Sequence, residues 1–136
     1  MSSDNGTAAF FLFNPNPRTS NPNGKADCVV RAICAAFNWP WEQAYAALCV
    51  QGYANGDNFA SDTVWGDFLE SHGWTWQRIP DTCPRCYTLS AFAADHPDGV
   101  WIVGTGSHAV CVKGGVIWDS WQSGGVVPIF AWRMPD

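Results

Sequence analysis

Basic residues are scarce in this chain: lysine and arginine together number seven in 136 residues, against twelve acidic ones, for a formal net charge of −5. Phosphate contacts draw on clustered Lys and Arg, and these seven are scattered, which argues against a nucleic-acid binder. Long apolar runs are also missing. None approaches the roughly 20 residues needed to cross a bilayer, so no membrane partner is expected. A basic leader is lacking as well. Met1-Ser2-Ser3-Asp4-Asn5-Gly6-Thr7 carries no cation, and the run Ala8–Phe13 is followed by no small-residue cleavage site. That run reads as a first strand rather than a signal peptide. Without a secretion signal, the six cysteines are expected to be reduced thiols in a cytoplasm.

Charge of either sign is sparse (14%) while 47% of the residues are apolar, so an ordered chain with a real core is expected. The length suits one domain spanning 1–136, of which residues 1–24 supply a strand and an Asn/Pro-rich lead-in loop. Nine tryptophans are a heavy load for this size. Most are expected to fill the core, with some left to line a groove.

Asn14 to Gly24 is a loop by its Pro, Asn and Gly content. Asp27 is the expected N-cap of a first helix reaching Phe37, with Val30, Ile33, Cys34 and Phe37 as its apolar stripe. Pro40 at N1 should start a second helix that Gly52 ends. Ser61 or Asp62 should cap a third helix stopped by Gly73. Trp74–Ile79 alternates as a strand, and Thr88 caps a short helix, Leu89–Asp95. Strands follow at Val100–Val103, His108–Lys113, Val116–Trp121 and Val127–Arg133. The middle pair forms a hairpin across Gly114-Gly115. Helices first and antiparallel strands afterwards give an α+β architecture, with the first helix packed on the sheet.

Three residues stand in settings suited to nucleophilic thiol chemistry. Cys28 opens the first helix, where uncompensated N–H groups favour a thiolate. His108 begins a strand and Asp119 closes the next. Pairing across Gly114-Gly115 sets His108 opposite Trp121, with Asp119 diagonal to it on the same face, within reach of the imidazole. The other cysteines read differently. Cys34, Cys49 and Cys111 have apolar neighbours and are expected in the core. Cys83-Pro84-Arg85-Cys86 lacks two further metal ligands and a thioredoxin-like unit, so a plain surface loop is expected there. His72 and His96 each end a helix and are expected to be structural. A salt bridge from Arg31 to the sheet is expected.

The segments Asp27-Cys28-Val29-Val30-Arg31-Ala32, Gly106-Ser107-His108-Ala109-Val110 and Trp118-Asp119-Ser120-Trp121 together resemble the papain-like cysteine peptidase superfamily. The nearest likeness is to its compact bacterial and phage members, similar to bacteriocin-processing peptidases, and it covers roughly Asn21 to Arg133. The resemblance implies a papain-like fold, with Cys28 as nucleophile, His108 as base and acid, and Asp119 as the group that orients the imidazole. It implies hydrolysis of a peptide or isopeptide bond in a peptide or protein substrate, with no metal and no cofactor. For a phage-encoded chain the location would be the host cytoplasm. Those families usually carry an amide side chain, commonly Gln, about six residues before the nucleophile. Here that position is Pro22, and Asn23 is the expected oxyanion donor beside the Cys28 N–H. Trp118 and Trp121 are the expected groove walls. Two other classes fit the composition: a catalytically silent papain-like binding or virion-associated module, and a carbohydrate-binding domain using exposed Trp.

Overall fold

The computed structural model describes residues 9–136. The leader segment 1–7 and Ala8, the expected first residue of the opening strand, lie outside the described residues. Within them, four helices and six strands follow in the order β1 (Phe10–Leu12), α1 (Cys28–Phe37), α2 (Trp41–Asn55), α3 (Asp62–Ser71), β2 (Thr75–Arg78), α4 (Leu89–Asp95), β3 (Val100–Gly104), β4 (Ala109–Lys113), β5 (Val116–Asp119) and β6 (Phe130–Arg133). The strands join in one sheet, ordered β1-β5-β4-β3-β6-β2. The mixed α+β class expected from the sequence is therefore present. No helix among the described residues is long and apolar enough to cross a membrane.

The sheet departs from an all-antiparallel expectation at one edge. β1 pairs with β5 in parallel, Phe11 beside Trp118 and Leu12 beside Asp119. A second departure is that helices cover both faces. Side chains alternate across a strand, so Ile102, Ala109 and Cys111 meet α1, α2 and α3, whereas Val103, Val110, Val112 and Ile117 meet Leu89, Phe92 and Ala93 of α4. The central strands are buried on both sides, which explains why Val100–Gly104 reads as an apolar run instead of alternating.

The β4–β5 hairpin has the register expected of it, Lys113 opposite Val116 and Val112 opposite Ile117. Its turn residues Gly114 and Gly115 have φ of +60° and +76°, a left-handed pair that suits the twist of a two-residue hairpin and that glycine adopts without strain.

Helix ends are where the sequence reading needs correction. Pro40 is the N-cap of α2, with extended backbone, and the helix runs through Gly52 to Asn55. Gly52 stays helical because it is buried against the following loop. A Cβ there would lie 2.7 Å from the Asp57 carbonyl oxygen, so the residue marks a close approach and not a stop. Asp27 occupies the N-cap position of α1, yet its side chain makes no capping bond. Thr88, in contrast, caps α4 through its hydroxyl, which accepts from the Ala91 N–H at 3.2 Å. Cys49 is exposed and does not join the core, and Cys83 is bonded to Cys86 in a disulfide, against the expectation of reduced thiols throughout.

One close approach yields a stability prediction. A Cβ on Gly104, at the end of β3, would overlap the Phe130 ring, which fills that space from the neighbouring strand. Gly104→Ala is expected to cost about 1–3 kcal/mol through overpacking. Urea unfolding would show it as a lower midpoint with unchanged slope; an unchanged midpoint would mean that Phe130 swings aside freely.

Candidate active site

α1 and β4 run side by side in the same direction and are tied together at both ends. At the far end, Lys113 on β4 donates from Nζ to the Ala35 carbonyl at 2.7 Å, setting a cation against the C-terminal carbonyls of α1. At the near end, Cys28 opens α1 and His108 immediately precedes β4. Two segments eighty residues apart therefore meet at one point, and the thiol and the imidazole are hydrogen-bonded to each other.

His108 uses its other nitrogen on Asp119. Nε2 lies 2.7 Å from Oδ2 of that carboxylate. A carboxylate only accepts, so Nε2 carries the proton and Nδ1 is left to meet the thiol. Asp119 is wholly buried, and its two oxygens are shared among four partners. Oδ2 also accepts from the Ser123 hydroxyl at 2.6 Å. Oδ1 accepts from the Ser120 N–H at 2.7 Å and from the Arg31 guanidinium at 3.1 Å. Its own carbonyl accepts from the Phe13 N–H at 2.8 Å, so the parallel pairing of β1 fixes the backbone that bears it.

Arg31 lies one turn after Cys28 and is 4% exposed. Besides Asp119 it bonds Asp27 Oδ1 at 3.1 Å. The expected link between α1 and the sheet is thus present, with a second carboxylate that the sequence reading assigned to capping. Asp27 also accepts from Asn16 Nδ2 at 3.0 Å and from the Trp41 indole N–H at 3.1 Å.

The electrostatics follow from these contacts. Burial alone would push the Cys28 thiol up. The hydrogen bond and charge of His108, the Ala109 N–H and the Arg31 charge outweigh it, so the thiol sits below its ordinary value. Burial alone would likewise push His108 down. Hydrogen bonds to Asp119 and Cys28 reverse that and raise it to about 9. Asp119 is held below the usual carboxylate range, since His108, Ser123 and Arg31 overcome the burial that would raise it. All three directions favour a thiolate–imidazolium pair over two neutral groups. The other buried thiols behave in the opposite way: burial drives both Cys34 and Cys111 up to about 12.

The thiol faces a cleft of about 330 Å³ whose lining includes Asn23, Lys25, Asp62, Trp65, Ser120 and Trp121. Asn23 sits in a short 3-10 turn, Pro22–Gly24, just before α1, and is exposed. Trp121 forms a wall, its ring 5.2 Å from that of His108. Trp118 does not line the cleft, which corrects the expectation that both tryptophans would. Trp118 pairs with Cys111 and lies on the face covered by α1, but beside the β1 edge of the sheet. The Trp118 ring instead packs on Phe11 at 4.4 Å and lies 4.1 Å beneath the Lys113 ammonium.

Comparison with protein-family models, with curated proteins and with solved structures finds no match.

The two remaining histidines cap helix ends away from this cleft. His72 donates to the Phe68 carbonyl at 2.9 Å and His96 to the Phe92 carbonyl at 2.7 Å, as expected of structural residues. Cys83 and Cys86 lie on an exposed loop, and among the described residues no cluster of His, Cys, Asp and Glu suits a metal ion. Ser123 and Ser120 were not legible as site residues. Ser123 is fully buried, and Ser120 lines the cleft with its hydroxyl buried and, among the described residues, without a hydrogen-bond partner. The one signal for them is proximity: both follow Asp119 within a single turn of loop.

Proposed function

We propose that this chain is a papain-like cysteine peptidase or amidase, cleaving a peptide or isopeptide bond through a thioester at Cys28. The observation that carries this reading is the Cys28–His108–Asp119 relay at the mouth of a cleft, with the thiol shifted down and the imidazole up. A helix bearing the thiol, packed on a strand whose entry bears the imidazole, is also what the family likeness implies.

The chemistry runs on groups already in place. The Cys28 thiolate attacks the substrate carbonyl carbon. The oxyanion that forms takes hydrogen bonds from the Cys28 N–H and the Asn23 amide. His108 gives its Nδ1 proton to the leaving amine as the C–N bond breaks. Water then attacks the thioester, losing a proton to His108, and the acid leaves as the thiol re-forms. Asp119 keeps Nε2–H pointed away from the sulfur throughout. Trp121 gives the substrate one flat wall.

The pH dependence tests this reading. Alkylation of Cys28 by iodoacetamide needs only the thiolate, so it should persist well below the ordinary thiol value of about 8.5. Amide hydrolysis needs the imidazolium as well, and should decline as pH rises through about 9, where His108 loses its proton. Alkylation of Cys28, mapped by peptide mass, that titrates at the ordinary thiol value would favour the silent binding module instead.

A further inference from the structure

Asp27 adjoins the nucleophile and stands where a carboxylate normally closes over the first N–H groups of a helix. Such a cap would put a second negative charge beside the Cys28 sulfur and occupy the donors that an oxyanion needs. The structure shows the carboxylate drawn the other way. Its backbone has φ of −121° and ψ of 26°, off the extended geometry of a capping residue, and no capping bond forms. Its oxygens go to Arg31, Asn16 and Trp41. The same guanidinium fork holds Asp119 from behind, through Nε and Nη2 to Oδ1 at 3.1 Å each, and leaves Oδ2 to His108 and Ser123.

We propose that Arg31 is a positioning residue for the thiol chemistry: by bridging Asp27 and Asp119 it withdraws one carboxylate from the start of α1 and fixes the other behind His108. The inference rests on the functional reading above and adds to it. Buried charges then alternate in sign along Asp27, Arg31, Asp119, His108 and Cys28, each flanked by its opposite. An arginine is required because a planar fork reaches two carboxylates at once, where an ammonium acts as a point charge. Two attachments also explain why Arg31 can be 4% exposed on a cleft-bearing helix and still pay its desolvation. The charged groups facing the thiol are His108 from the entry to β4 and Arg31 from α1, with Lys25 and Asp62 on the cleft lining and Asp119 behind the imidazole.

The test is the pH profile of iodoacetamide labelling at Cys28 in Arg31→Met, Arg31→Lys, Asp27→Asn and the Arg31→Met/Asp27→Asn double variant, each with a melting curve. Arg31→Met frees Oδ1 of Asp27 and removes a favourable charge, so the acid limb should move up by about one pH unit or more, roughly tenfold less labelling below it. The double variant, with the freed carboxylate removed, should recover a good part of that shift. Arg31→Lys should fall between the parent and Arg31→Met. Asp27→Asn alone should leave the limb in place or lower it, and Arg31→Lys, which retains the buried charge, keeps the test decisive should Arg31→Met fail to fold. A lower Tm with the parent's labelling profile in every folded Arg31 variant would make Arg31 merely structural and overturn the proposal. An acid limb already at the ordinary thiol value in the parent protein would instead remove the hydrolase reading itself.

Discussion

His108→Ala should slow alkylation of Cys28 by iodoacetamide at pH 7 by about ten- to a hundredfold. In the parent protein the imidazole supplies the largest of the effects that lower the thiol, through its hydrogen bond and its charge. Without it, burial is opposed only by the Ala109 N–H and the Arg31 charge. A thiol returned to its ordinary value or above is at most a few per cent ionised at pH 7. A thiolate of higher pKa is intrinsically more nucleophilic, which offsets part of the loss and sets the lower end of the range. At pH 10 the two proteins should label at similar rates, because both are then thiolates. Hydrolysis should suffer more, by about 10²–10⁴-fold, since the proton donor to the leaving amine is also gone. Equal labelling rates at pH 7 would show that the imidazole does not activate the sulfur.

Asp119→Ala should be the most destabilising change in the site. It strips the buried guanidinium of one of its two carboxylates and leaves the Ser123 hydroxyl and the Ser120 N–H without their acceptor. Breaking a buried ion pair from one side costs about 3–5 kcal/mol, which for a domain of this size lowers Tm by roughly 10–20 °C. Asp119→Asn keeps the volume and one acceptor oxygen, and should cost less. The pH dependence of stability carries the same signature. Because the Asp119 carboxyl is lowered in the folded protein, its contribution is present above the unfolded value of about 3.9 and is lost as pH falls further. Because His108 is raised to about 9, its contribution is complete below about 6.5 and is lost as pH climbs through 9. The parent protein should therefore lose stability on both sides of a neutral window, and Asp119→Ala should flatten that profile. A melting temperature within a few degrees of the parent would mean that the guanidinium finds another partner.

Much of this site was legible because its parts sit at element boundaries. Cys28 follows a Pro- and Asn-rich loop and opens an apolar helical stripe; Gly114-Gly115 dictates a tight hairpin and so the register that brings His108 to Asp119. Where the sequence misled, two structures competed for one residue. Asp27 is a good capping residue and an equally good partner for an arginine four positions on, and tertiary contact decided between them. Gly52 ends many helices, yet here it is a point of close backbone approach inside one. Trp118 and Trp121 stand close to one carboxylate in sequence, yet Phe11 and the Lys113 ammonium take up the Trp118 ring and leave only the second to the groove. The parallel docking of β1 leaves no local trace, since pairing across more than a hundred residues is decided by which sheet edge stands open.

The contrast among the free thiols has a practical consequence for every labelling experiment above. Burial silences Cys34 and Cys111 at neutral pH, whereas Cys49 stands exposed on α2, outside the lining of the cleft. The molecule thus carries an internal standard. Measured as a ratio of Cys28 to Cys49 adducts on the same polypeptide, reactivity becomes independent of protein concentration and reagent decay.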